Sequence, residues 1–329
     1  MAERAAIHQS VQIGIQSDFA TEATAGKTLP SLDLMLNTSS EFSTYRATGQ
    51  KLPRLSILNR EWTVMPTKMP ITVAEQLYPL ASLFRKPTIS TPGGGTLSRS
   101  HLFNWNNVDA DDKAYYTIQQ GGGVRAVQAV GCFWNDGKWT FNRKTGMEFE
   151  GSVLGTEIED AITMDASPTE IELVPLVPGD WSIYLDTAWA GLGTTKLLRW
   201  MSGEFGVGNI QDFIWPVDSS HGNGPGGVVE DEPTISGSMA LQADAVGMAM
   251  LTQGRDTVTK FMRIVGVGPI IEGAIPYKMQ FDLALQISNF KGFRNSDKTW
   301  DVEFDFITVK DPTSGKGIEV TNVCKVTAL

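Results

Sequence analysis

One strand pattern is written twice in this chain, and it limits the folds open to it. Residues Gly137–Gly155 read GKWTFNRKTGMEFEGSVLG, and half a chain later Phe293–Lys310 read FRNSDKTWDVEFDFITVK. Laid over each other, Met147 falls on Val302, Glu148 on Glu303, Phe149 on Phe304 and Glu150 on Asp305. Both copies alternate apolar residues with acids, the period of a strand with one dry and one wet face. Shorter echoes run in the same order: Leu34-Met35 with Leu197-Leu198, Ser40-Glu41-Phe42 with Gly203-Glu204-Phe205, and Tyr116–Gly121 with Phe261–Gly266. Internal repeats of this kind decide the architecture. The expectation is a mainly β chain of sandwich- or barrel-forming sheets in two similar tandem units, 1–165 and 166–329, each with one short flanking helix.

Composition sets bounds on function. A net charge of −10 argues against gripping nucleic acid through its phosphates. The 33 glycines suit a β-rich fold with many turns. Cys132 and Cys324 are too few for a disulfide framework or a zinc site, and Cys132 reads as a small core residue. The first twenty residues lack the apolar core of a secretory signal, and no apolar run reaches the ~18 residues that span a membrane. The expectation is a chain made in a cytoplasm and soluble there.

Residues 1–28 read as an extended arm. A strand follows at Ser31–Asn37, with Leu32, Leu34 and Leu36 on one face, then a polar segment, 38–51. Leu52–Met65 reads as a strand with Leu55, Ile57 and Val64 inward. Thr72 and Glu75 have the spacing of a capping box, opening a helix with Val73, Leu77, Leu80, Ala81 and Phe84 on one stripe and Pro79 as an obstacle. A second helix starts at Asp244, with Ala245, Met248 and Leu251 on one face and a stop at Gly254. Residues 88–112 and 217–232 read as long loops. Tyr277–Ser288 alternates strictly, as does Trp300–Phe306, and 311–329 reads as a tail with one short apolar stretch.

Residues that could carry chemistry do not combine into a site. Gly26-Lys27-Thr28 lacks the first glycine of a phosphate loop, because position 21 is Thr21. Asp109, Asp111 and Asp112 have Ala114 and Gln120 where a calcium loop needs Gly and Glu. His8, His101 and His221 have no partner at metal-ligand spacing and read as surface residues. Trp181, Trp189, Trp200 and Trp215 could form a sugar-binding platform, although burial of such rings is commoner. Nothing here points to an enzyme, a cofactor or a bound metal.

Four stretches resemble siphophage major tail proteins, the subunits of tail tubes. They are 17–36 (SDFATEATAGKTLPSLDLML), 181–208 (WSIYLDTAWAGLGTTKLLRWMSGEFGVG), 238–264 (SMALQADAVGMAMLTQGRDTVTKFMRI) and 301–311 (DVEFDFITVKD). The resemblance implies a β-sandwich with a flanking helix, whose sheets join side by side into rings. Rings stack into a virion tail tube that conducts the genome. It also implies tape measure, tail terminator and baseplate partners, and passing double-stranded DNA that is not specifically bound. Most such proteins are single units in sixfold rings; two units per chain imply a trimeric ring with pseudo-sixfold symmetry. Glu148, Glu150, Glu303 and Asp305 would then face the lumen, or alternatively outer solvent. The long loops, with Gly93, Gly94, Gly95, Asp109, Asp111, His221, Gly224 and Gly226, would meet the next ring. Rival readings are a capsid decoration protein, the tube of a contractile tail, and a carbohydrate-binding sandwich using the tryptophans.

Overall fold

In the computed structural model the described residues are 9–106, 108–122, 125–144, 146–296 and 299–329. The N-terminal half holds β1 (Ser10–Ile15), β2 (Lys27–Thr28), β3 (Asp33–Leu34), β4 (Asn37–Tyr45) and β5 (Leu55–Pro70). Helix α1 (Leu77–Leu83) follows, then β6 (Thr88–Ser90), β7 (Arg99–Phe103), β8 (Tyr116–Gly122) and β9 (Arg125–Asn142). It closes with β10 (Gly146–Gly155), β11 (Ile158–Ile162) and β12 (Thr169–Glu170). The C-terminal half holds β13 (Trp181–Asp186), β14 (Trp200–Gly208), β15 (Gln211–Ile214), β16 (Gly227–Glu230) and β17 (Thr234–Gln242). Helix α2 (Ala245–Arg255) precedes β18 (Lys260–Glu272), β19 (Ile275–Ser296), β20 (Thr299–Thr308) and β21 (Ile318–Cys324). The chain is mainly β, as its alternating sequence predicts: 54% is strand against 10% helix.

A central sheet runs β4–β5–β10–β9–β14–β17–β20–β19, antiparallel throughout, with β3 beside β5 next to β4. The first half of β19 leaves this layer and pairs with β18 on one side and β21 on the other, extending to β13 and to β7 and β6. The first half of β9 likewise pairs with β8 and β11, and β8 with β1. Both long strands therefore serve two layers. The aromatic core sits between them: Trp139 of β9 and Phe205 of β14 both pack on Phe281 of β19, with ring centroids 5.4 and 5.0 Å apart.

The two halves have matching pairing diagrams. The N-terminal half pairs β1–β8, β8–β9, β9–β11, β9–β10, β10–β5 and β5–β4. The C-terminal half pairs β13–β18, β18–β19, β19–β21, β19–β20, β20–β17 and β17–β14 in the same sense. Each helix follows the matching strand of its half, α1 after β5 and α2 after β17, and packs on the long one, α1 on β9 and α2 on β19. The central sheet passes from one half to the other through β9 and β14, which pair from Ser202↔Asn142 to Val207↔Gly137.

Several local expectations need correction. Glu75 does not cap a helix at Thr72; its carboxylate accepts the Ser31 N–H and hydroxyl and the Thr72 hydroxyl, and the helix starts at Leu77. Pro79 fits because it is the third helical residue, where an N–H has no intrahelical acceptor to lose. Helix α1 is fully covered by the sheets it flanks: all seven of its residues are buried. At Gly137 of β9 a Cβ would lie 2.7 Å from a Leu83 methyl of α1, so glycine permits that close approach. Asp244 does cap α2, accepting from the Val246 and Gly247 N–H groups, but the face turned inward is Gly247 and Met250, while Met248 is exposed.

The segment read as polar, 38–51, contains all of β4 but its first residue, and Leu55 and Ile57 are exposed because the β4–β5 hairpin projects beyond the core. Residues 88–112 contain β6 and β7, and 217–232 ends in β16, hydrogen-bonded to β15. The tail contributes β21, between β19 and β7, and the arm contributes β1, paired to β8.

Candidate functional site

Directly opposed residues of antiparallel strands share a face. One row of the central sheet reads Pro70, Glu148, Thr140, Glu204, Ser238, Asp305 and Asn289, one residue per strand. The two echoed acidic strands, β10 and β20, therefore lie in one sheet with β9, β14 and β17 between them. Glu148, Glu150, Glu303 and Asp305 all project from the side opposite the core, where they are partly exposed.

That face is not a bare acidic wall. Lys68 reaches Glu148 at 2.9 Å and Glu150 at 3.0 Å. Lys138 lies 3.8 Å from Glu150 and 3.7 Å from Glu204. Lys291 reaches Asp305 at 2.7 Å and Glu303 at 3.5 Å, and Arg294 reaches Glu303 at 3.1 Å. Five acids thus face four bases. The Lys68 ammonium holds the Glu150 carboxyl below its ordinary range, and Asp305 raises the Lys291 ammonium. These bases, and Glu204, lie on other strands, so only cross-strand register brings them together.

The sheet ends in two open edges. Among the described residues β4 pairs with β5 alone, and 286–296 of β19 pair with β20 alone. Aromatic side chains stand at both. Phe42 and Tyr45 of β4 are 59% and 55% exposed, and Phe290 and Phe293 of β19 are 38% and 44% exposed. Phe293 stacks on Trp300 at 4.8 Å, and Phe290 meets Phe304 at 5.6 Å. At the junction inside the sheet the corresponding rings are covered: Trp139 stacks on Phe205 at 5.1 Å, and neither is more than 1% exposed.

The residues assigned to inter-ring loops fall in two places. Gly93, Gly94 and Gly95 form a short turn leading to the N–H groups of Thr96, Leu97 and Ser98, which all donate to the Glu272 carboxylate. With the Ser98 and Thr96 hydroxyls also donating, the Glu272 carboxyl is held down to about 2. His221, Gly224 and Gly226 lie instead near the β15–β16 hairpin, where the Glu61 N–H donates to the Asn223 carbonyl. Asp109 is exposed, and Asp111 accepts from the Asn106 N–H. The Asp111 N–H and buried Lys113 both reach Glu230 of β16. These loops have polar partners within the chain, which glycine content and length did not reveal.

The tryptophans form no common platform. Trp181 and Trp200 pack on Phe141, Trp189 on Phe261, and Trp215 on Trp62. His101 is fully buried, not superficial: its Nε2 meets the Val326 carbonyl at 2.9 Å, and burial lowers its pKa. His8 lies outside the described residues. A groove of about 440 Å³ between 195–199 and the start of α2 is lined by Leu185, Leu197, Leu198 and Leu241, and includes none of the candidate lumen, loop or tryptophan residues named from the sequence.

Comparison with known protein families gives no matching family model, and a search of curated proteins gives no match.

Proposed function

We propose that this chain is a structural subunit that assembles side by side into rings and stacks into a tube, as siphophage major tail proteins do. The observation that carries this reading is the paired architecture. Two halves with the same pairing diagram join edge to edge in one sheet, and that sheet ends in two open edges bearing exposed aromatics. Unpaired edges invite addition of another strand, and a closed ring removes them. Head-to-tail contacts close into a ring when the rotation between units permits it. We read the halves as a tandem duplication, so three chains supply six units. The charge-paired face lines the bore in this reading, with passing DNA as transient cargo and the tape measure, terminator and baseplate proteins as its axial neighbours.

Negative-stain electron microscopy of the purified protein, over a range of concentrations, tests the proposal. Hollow tubes, or rings with threefold end views, are the expected result. Single particles at every concentration, including after addition of preformed tail-tip complexes as nuclei, would overturn it.

A further inference from the structure

We propose a specific contact between copies, resting on the self-assembly reading: β4 of one chain adds antiparallel to the open edge of β19 in the next, with Phe42 opposite Phe290. The internal β9–β14 junction is the template. There Phe205 lies opposite Trp139 and Gly203 opposite Phe141.

Each side transfers independently. On the long strand, Phe149 of β10 lies opposite Trp139, and Phe304 of β20 lies opposite Phe290. Met147 lies opposite Phe141, and Val302 opposite Phe293. Since β10 and β20 are the echoed strands, Phe290 and Phe293 of β19 stand where Trp139 and Phe141 stand in β9. A bulge between Phe290 and Gly292 accounts for the one extra residue of β19. On the incoming strand, Ser40-Glu41-Phe42 echoes Gly203-Glu204-Phe205, so Phe42 takes the place of Phe205 and Ser40 that of Gly203.

Availability selects the same segment. Matching the halves through β5 and β17 instead would bring Leu34 to the position of Phe205. That stretch is already occupied: the Gln120 side chain donates to the Leu34 carbonyl at 2.8 Å and accepts the Leu36 N–H at 2.9 Å. Leu34 itself is buried in its own core. Among the described residues strand β4 is free on its outer edge, and its Phe42 ring is the exposed aromatic that the Phe290–Phe293 cluster lacks. The same register brings Glu41 beside Lys291, as Glu204 lies beside Lys138 at the internal junction.

The test is cysteine cross-linking. One chain carries Phe42→Cys and Phe290→Cys together; a second carries Ser40→Cys and Phe293→Cys, so that failure of either to fold leaves the other as readout. The native Cys132 and Cys324 are buried and give little background. After mild oxidation at assembling concentration, non-reducing gels are expected to show a ladder ending at a closed trimer. Mixing the Phe42→Cys chain with the Phe290→Cys chain is expected to give dimers in which each chain contributes one cysteine. Tubes in the microscope with no cross-link in either pair overturn this register and leave the tube reading standing. Cross-linked ladders without tubes support the strand contact and sink the tube. Neither product overturns both.

Discussion

At the scale of single residues, Glu272 has the most consequence for the loops. It is partly exposed, and five donors from Thr96, Leu97 and Ser98 converge on its carboxylate. Because these donors depress its pKa, the anion's contribution is complete above its ordinary value of 4.5 and is lost as pH falls through about 2. Glu272→Gln should release the 91–98 turn near neutral pH without unfolding the sheet. Hydrogen exchange of the Thr96, Leu97 and Ser98 amides is the readout, and wild-type protein should show the same release only as pH falls from 4.5 through about 2. Unchanged protection in the variant would mean that the turn is held by its glycines and not by the carboxylate.

At the scale of elements, the central sheet contains one satisfied junction and two unsatisfied edges, and the same residue type behaves differently at each. Phe205→Ala at the β9–β14 junction removes a buried ring and should cost about 3–5 kcal/mol in thermal or urea unfolding. Phe42→Ser with Tyr45→Ser, on exposed β4, should change stability by no more than about 0.5 kcal/mol. The pair should nevertheless abolish assembly seen by sedimentation; full assembly would remove β4 from the interface. The same contrast explains what the sequence reveals. β19 and β20 are legible because one face is buried and the other wet, so periodicity reports burial. The β4–β5 hairpin misleads because it leaves the core, and Leu55 and Ile57 lie exposed at positions that pattern alone reads as inward. The helix near Thr72 is legible in place but not in onset, since the distant Ser31 takes Glu75. Four of the five acids of the charged face are legible as a face, whereas Glu204, Lys68 and Lys138 are not, because cross-strand partners depend on register between distant segments.

At the scale of the whole molecule, the charge-paired face sets how a tube wall would treat DNA. With five acids against four bases, the face neither attracts phosphate strongly nor repels it strongly. Replacing Glu148, Glu150, Glu303 and Asp305 by Gln leaves Lys68, Lys138, Lys291 and Arg294 with Glu204 as their remaining acid on this face. Assembled tubes of that variant should retain double-stranded DNA at low salt and release it steeply as salt rises, as counterion release requires. Retention equal to that of wild-type tubes would assign the face to the outside. The β9–β14 junction would also bear on the timing of the proposed assembly. Strands belonging to one chain meet at an effective concentration set by their tether, so this contact forms however dilute the protein is. In a ring of six units from three chains, every second junction would be of this kind. Ring nucleation would then follow roughly the third power of protein concentration, where six separate units would approach the sixth. A fused pair would therefore lower the concentration at which the proposed tubes begin to grow and make their onset less abrupt.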